Sequence, residues 1–413
     1  VTATASRFET LRKGFVRTFW VANTLELFER FAFYGAKAVL TVYLVEKVGL
    51  GKLGNDLSGL FKFAVFFLPA LAGVIVDRYG FKKSLAACFS IFSLGYFAIG
   101  LAGIAFVGNV PYAIGALLLT AIGGSLIKPC IVGTVSRTTT EDTKSLGYSI
   151  YYTLVNIGGA IGPMLGLAVR KSMGMQYVLM MSAIVSAANL VATLFFFREP
   201  PGAPGGEGRT LSQVFKNMIL VFGNLRFISF LIIFSGFWVM FWQIFDTLPF
   251  FVRDTLHYEN FELIEVVDAW SIIILTVPIA ALMKRMRPIL AMTSGFAMAS
   301  ASWLLMFLSP TLHFTIAALI VYAIGEAMQA PRFYEYVADL APKDQVGTFM
   351  GFAFLPVAIG GLISGPLSGY LHEHYMIQSH QPSRMWLVVS GIGFGSTLLM
   401  LAYDRLIAPK PSS

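Results

Sequence analysis

The sequence predicts an all-α membrane protein of twelve transmembrane helices in two six-helix bundles. Three observations carry that expectation. The first is composition: of 413 residues, 56% are hydrophobic and only 13% charged, with a mean hydropathy of +0.72. Soluble domains average about 25% charged residues, so there is too little charge here to coat a water-exposed surface. The second is the recurrence of apolar runs near the roughly 20 residues that a helix needs to cross the hydrocarbon core. The third is a single long polar break that divides those runs six and six. The 37 Phe, 39 Gly and 18 Pro suit packed membrane helices, in which Gly and Pro are better tolerated than in soluble ones. A soluble enzyme, a disordered tail and a disulfide scaffold are all excluded on these grounds.

In chain order the spans are expected at 16–46, 57–77, 83–107, 110–136, 145–169 and 175–197, then at 226–252, 262–283, 288–309, 312–338, 346–371 and 384–404. Between the sixth and seventh lies 198–213, containing EPPGAPGGEGR, the composition of a flexible Pro/Gly linker. The domains are therefore an N-terminal bundle (1–197), a linker (198–213) and a C-terminal bundle (214–413). Assigning alternate loops to alternate sides puts nineteen Lys/Arg on the side of both termini and the linker, against six opposite. Cytoplasmic loops carry the positive excess, so both termini are expected in the cytoplasm of a multi-pass inner (plasma) membrane protein. Residues 1–17 show no short apolar core followed by a small-residue cleavage site, so no signal peptide is predicted.

The net charge of +8 does not point to nucleic acid, because the basic residues are scattered in short loops rather than clustered on one face. Cys88 and Cys130 lie inside apolar runs and read as small packing residues. His372, Glu373, His374 and His380 fall near one outer loop but lack tight ligand spacing, and no metal is expected. No phosphate-binding loop is present, and no nucleophile with a paired base appears. The chain is expected to be no enzyme, to need no cofactor, and to draw on a proton gradient.

Between spans 2 and 3 stands Gly73-Val-Ile-Val-Asp77-Arg78-Tyr-Gly80-Phe-Lys82-Lys83. It resembles the G-x-x-x-D-R-x-G-[RK]-[RK] loop of the major facilitator superfamily, whose members have this six-plus-six layout. In that loop Gly73 would let helices approach, Gly80 would supply the turn, and Asp77 with Arg78 would latch a helix end onto its neighbour.

Eight ionisable side chains fall well inside the expected spans: Glu26, Glu29, Arg30, Lys37, Lys62, Lys128, Asp246 and Glu326. At about 2.5–3.5 kcal/mol for a central charge, eight facing lipid would cost on the order of 20–28 kcal/mol. They must face one another or a polar path. Four are positive and four negative, so full pairing is possible. Span 1 is the densest, with Glu26 and Arg30 at the favoured i,i+4 spacing and Tyr34 and Lys37 continuing the stripe.

The stretch ELFERFAFYG of span 1 resembles the E-x-x-E-R-F-x-[YF]-[YF]-G signature of the proton-dependent oligopeptide transporter family. Gly123-Gly124-Ser-Leu-Ile-Lys128-Pro129-Cys130 is similar to that family's glycine-rich segment ending K-P-C, and Tyr151-Tyr152-Thr-Leu-Val-Asn156-Ile-Gly158 to its F-Y-x-x-I-N-x-G. Gly325-Glu326, Pro331 and Leu340-Ala-Pro342 match its tenth span. The resemblance implies a proton-coupled symporter of di- or tripeptides, with Glu26, Glu29 and Arg30 as the coupling switch. It implies that Arg30 and Lys128 hold the substrate carboxylate, that Tyr34 and Asn156 touch the peptide backbone, and that Glu326 pairs with the amino terminus. The expected partners are a small-molecule substrate, protons and the bilayer, with no nucleic acid, and the chain is expected to be monomeric. An alternative is a relative carrying another small solute, such as an organic anion or amino-acid derivative; a further one is a non-transporting membrane sensor.

Departures are visible too. Phe237-Trp238-Val-Met-Phe-Trp242-Gln243 resembles the family's F-W-x-x-[FY]-[DE]-Q, but Trp242 replaces the acid, and Asp246 follows one turn later. The expected gating pair is Lys37 with Asp246. Span 11 lacks the family's usual tryptophan, and Ile359-Gly360-Gly361 lacks its Asn.

Overall fold

The apolar runs fold as helices. The computed structural model describes residues 14–200, 202, 210–342 and 346–408, and no strand occurs among them. Helix α1 (Arg17–Val42) ends in a π-helical turn, Tyr43–Lys47. The second span is broken into α2 (Lys52–Phe67) and α3 (Pro69–Tyr79), which meet at a 43° bend. Pro69 has no N–H to continue the ladder but suits the first position of a new helix. Helix α4 is Phe81–Ala102. The fourth span is α5 (Val110–Ser125), started by the Asn109 side chain accepting from Tyr112 N–H, and α6 (Ile127–Arg137). Helix α7 (Glu141–Met173) opens on a Thr140/Thr143 capping box, and α8 is Met175–Phe196.

After the expected linker comes α9 (Leu211–Gly223), then α10 (Leu225–Asp246), prolonged by short turns to Thr255. The remaining helices are α11 (Phe261–Met283), α12 (Pro288–Leu308), α13 (Leu312–Leu340), α14 (Val346–Gly351), α15 (Leu355–Leu371) and α16 (Met385–Leu406). Among the described residues ten helices are long and apolar enough to span a membrane, and the bent α2–α3 pair makes eleven. The twelfth expected span is α1, which carries Glu26, Glu29, Arg30 and Lys37. Those charges take it outside the apolar class. Helix α9 was expected as linker up to 213. It forms because Val214 and Val221 lie buried on one face, while Phe215, Ile219 and Phe222 stay exposed on another. At 13 residues it is too short to cross.

Two compact units emerge. One comprises residues up to Ala36 with Leu68–Leu211; the other comprises Lys37–Phe67 with the chain from Ser212 onward. In the first, α4 packs on α5 and α8, and α7 meets α1 where it has glycine: a Cβ at Gly158 would lie 2.7 Å from the Leu27 carbonyl oxygen and 2.8 Å from Arg30 Cβ. In the second, α15 packs on α2 and α10, and α13 on α11 and α12. Its core is aromatic, with Phe234 and Phe333 at 4.2 Å and Trp303 stacked on Trp386 at 5.0 Å. Large side chains such as Phe195, Leu225 and Val277 point outward, each more than three-quarters exposed, as a bilayer solvent allows.

Candidate functional site

The first unit gathers its charges around Glu26. This side chain is fully buried, as are Glu29 and Arg30 to within 6% exposure. Lys128 Nζ donates to Glu26 Oε1 at 2.7 Å and to the Tyr151 hydroxyl at 2.7 Å, and that hydroxyl donates onward to Glu26 Oε1 at 3.3 Å. Arg30 Nε lies 3.4 Å from the same oxygen and donates to Glu29 Oε2. The i,i+4 pairing read from the sequence is thus formed, and Lys128 of α6 closes on it directly. Glu26 Oε2 and Glu29 Oε1 are buried without a hydrogen-bond partner. Orphaned buried carboxyl oxygens are costly.

Two cations and two carboxylates make the cluster neutral as it stands. Its anchoring comes from packing: Gly158 lets the α1 turn bearing Arg30 seat against α7, and the Arg30 guanidinium carbon lies 5.0 Å from the Phe33 ring centroid. Tyr34 lies against Gly159, and the half-buried Asn156 donates to the Tyr152 carbonyl at 2.9 Å. Tyr151 was not among the expected site residues, although its motif was noted. Its place in the same motif as Asn156, one helical turn before Val155, was the available signal.

In the second unit the expected pair is corrected. Asp246 is fully buried and is met by Lys62, with Thr41 donating to Oδ1 at 2.8 Å and Ser364 to Oδ2 at 2.7 Å. Lys37 instead sets its ammonium 3.4 Å from the Phe245 ring centroid and 4.5 Å from that of Trp242. Close packing explains the exchange. A Cβ on Gly361 would stand 2.7 Å from Lys62 Cβ, so the bare glycine lets α2 come near enough to α15 for Lys62 to reach Asp246. Trp242, at the family's acidic position, donates its indole N–H to the Val357 carbonyl at 3.1 Å. Beyond Asp246, Arg253 bridges Glu46 (2.8 Å) and Asp254 (2.7 Å), and Lys52 lies 3.3 Å from Glu373.

Glu326 sits on α13, its Oε2 buried without a hydrogen bond. The sequence reading passed over three further acids of this unit, Glu262, Glu265 and Asp268 on α11, all buried. They open the helix, where acids ordinarily sit at the interface, and that position concealed them. The stripe Glu265, Asp268, Ile272 at helical spacing was the signal.

In the loop between spans 2 and 3, Gly80 has φ of 80°, the left-handed region that glycine occupies freely. Gly73 and Asp77 are half-buried on α3 and Arg78 is exposed. A residue not foreseen completes the turn: Glu199 accepts from the Lys82 backbone N–H at 2.7 Å, placing a carboxylate at the N-terminus of α4. Among the described residues no group of three or more His, Cys, Asp or Glu could hold a metal ion.

The family model described as Major Facilitator Superfamily matches residues 24–365, and again 261–412. Among relatives, the chain is 22% identical to "Dipeptide and tripeptide permease A" of Cronobacter turicensis, over 86% of this chain and 84% of that one. It is 24% identical to "Multidrug resistance protein MdtH" of Salmonella typhi, over 90% of each. Among solved structures it is similar to a POT family transporter in complex with a thioalcohol-conjugated peptide, with TM-score 0.80 and 17% identity over 95% of this chain and 97% of that one. A POT family transporter in complex with 5-aminolevulinic acid gives TM-score 0.79 at 17% identity over the same shares. At such identities the structural likeness shows the fold.

Proposed function

We propose that this chain, which belongs to the Major Facilitator Superfamily, is a proton-coupled symporter that imports di- or tripeptides by alternating access of its N-terminal (1–197) and C-terminal (214–413) bundles. The observation that carries the reading is the neutral buried cluster of Glu26, Glu29, Arg30 and Lys128. A substrate carboxylate arriving at Arg30 and Lys128 adds a negative charge to a cluster that has none to spare. Burial makes an uncompensated charge expensive, so one of the two glutamates takes a proton as the carboxylate binds. Peptide and proton then travel together, which is coupling in thermodynamic terms.

Tyr34 and Asn156 would touch the peptide backbone, and Glu326 its ammonium end. Asp246, with Lys62 rather than Lys37, would act as the gate, and the Gly73, Asp77, Arg78, Gly80 loop would latch one conformation. The Lys/Arg bias of the loops supports an inner-membrane protein with both termini cytoplasmic. The protein would work as a monomer, driven by the proton gradient and without a bound cofactor. A second reading, transport of another small solute, is favoured by Trp242 standing at the family's acidic position and by the relative named for multidrug resistance.

Uptake of labelled alanyl-alanine into proteoliposomes under an inward proton gradient separates the two. Saturable, gradient-dependent accumulation is expected. Glu26→Gln and Glu29→Gln should abolish accumulation yet keep some substrate exchange; variants that still concentrate peptide like the parent would remove the coupling assignment. Accumulation of other solutes but not peptides would select the second reading.

A further inference from the structure

Within the first unit, α1 and α8 are tied where Ser182 Oγ donates to the Ala32 carbonyl at 2.9 Å and Asn189 Nδ2 to the Leu25 carbonyl at 3.1 Å. Toward the N-terminal end of α1 the two helices part. Between them lies a cavity of about 670 Å³, walled by Trp20, Val21 and Phe28 on one side and by Ile184, Val185 and Phe196 on the other. On α8 it is lined by the small side chains of Ala188 and Ala192, one turn apart, which make it concave. Among the residues that line it only Arg17 is charged, and Arg17 is exposed.

The dimensions and the chemistry of this groove suit one class of molecule. From Arg17 to Phe28 a helix rises about 16 Å, close to the roughly 15 Å of hydrocarbon in one leaflet. Its walls are apolar and open outward, with Ile184 70% and Phe28 49% exposed. Trp20 sits one turn in from Arg17, and indoles and basic residues mark the level of the lipid headgroups. A guanidinium forks onto phosphate oxygens. Arg198, also exposed, follows two residues after Phe196 and adds a second positive charge at that end of α8.

We propose that this groove seats an anionic phospholipid, with one acyl chain between α1 and α8 and its phosphate on Arg17. The site is independent of which solute the protein carries. Each helical residue turns the chain by roughly 100°, so Arg17, Val21, Thr24 and Phe28 share one face of α1. Glu26, nine residues after Arg17, falls on the opposite face. The lipid therefore backs the helix whose other side holds the cluster of Glu26, Arg30 and Lys128.

Native mass spectrometry of the delipidated full chain in detergent, titrated with dioleoylphosphatidylglycerol or dioleoylphosphatidylcholine, reads the affinity of the first lipid bound. Phosphatidylglycerol should bind the parent about fivefold more tightly, the contribution of roughly one basic residue near an anionic headgroup. Arg17→Gln should erase that preference, and Arg17→Lys should keep most of it. Ala188→Trp fills the groove from an exposed position and should weaken both lipids about tenfold, as displacing two buried CH2 groups would; Ala192→Phe is the second filler should the first not fold. A parent that binds both lipids alike, an Arg17→Gln variant that keeps the preference, or a folded filler variant that binds lipid like the parent would each overturn the site. So would a dimeric parent that the filler returns to monomer, which would assign the groove to a second copy of the chain.

Discussion

The charged cluster of the first unit is balanced, and that of the second is not. Around Glu26 two cations and two carboxylates meet within hydrogen-bonding or ion-pair distance. On α11 and α13 the acids outnumber the cation beside them, and that cation, Lys37, lies over aromatic rings. A balanced buried cluster responds to added negative charge by taking up a proton. An acid-rich one is completed by a positive group. The asymmetry therefore separates a cluster that an added anion would unbalance from one that an added cation would complete.

The largest effect that would test this contrast is expected from Arg30→Ala. It strands Glu29 and weakens the hold on Glu26, and breaking a buried pair from one side costs about 3–5 kcal/mol. Thermal unfolding should show that loss, and adding Glu29→Gln should recover part of it. Glu326→Gln removes an acid from the surplus and should leave stability unchanged or raise it. Should Arg30→Ala unfold no earlier than Glu326→Gln, the distinction between the clusters collapses.

Gly158→Ala comes next. The added methyl meets the Leu27 carbonyl and the Arg30 stem, an overpacking that costs about 1–3 kcal/mol, and it should lower uptake by displacing Arg30. Uptake that is unchanged despite lost stability would show that the guanidinium does not need its present seat. The smallest effect is expected from Tyr151→Phe, which removes the hydroxyl between Lys128 and Glu26 while leaving their direct 2.7 Å bond in place. A rise in KM for the dipeptide is the readout, and identical kinetics would make Tyr151 a bystander.

Most helix positions were legible because lipid-facing and core-facing residues are both apolar, so a span declares itself by length alone. Helix α9 escaped because it is short and has polar residues between two apolar stripes. The break before Pro69 could have been read from the proline, but its 43° size depends on packing. Glu26, Arg30 and Lys128 were legible as charges inside apolar runs. The partner of Asp246 was not: choosing between Lys37 and Lys62 requires knowing that α2 lies against α15 at Gly361, and no periodicity along one helix reports that. Asp268 was overlooked for the opposite reason, since Glu262 and Glu265 ahead of it made the whole turn look like a wetted helix end.

Helix α1 also bears on how the protein is made. Glu26, Glu29, Arg30 and Lys37 would cost on the order of 10–14 kcal/mol as four unpaired central charges, a cost that the pairs within α1 lower without removing. Until α6 and α7 have been made, α1 would therefore lack the partners that answer its charges. Lys128 and the Gly158 face of α7 complete its neutralisation and its packing. Helix α1 thus reaches its neutral, packed seat only after α6 and α7 have been made.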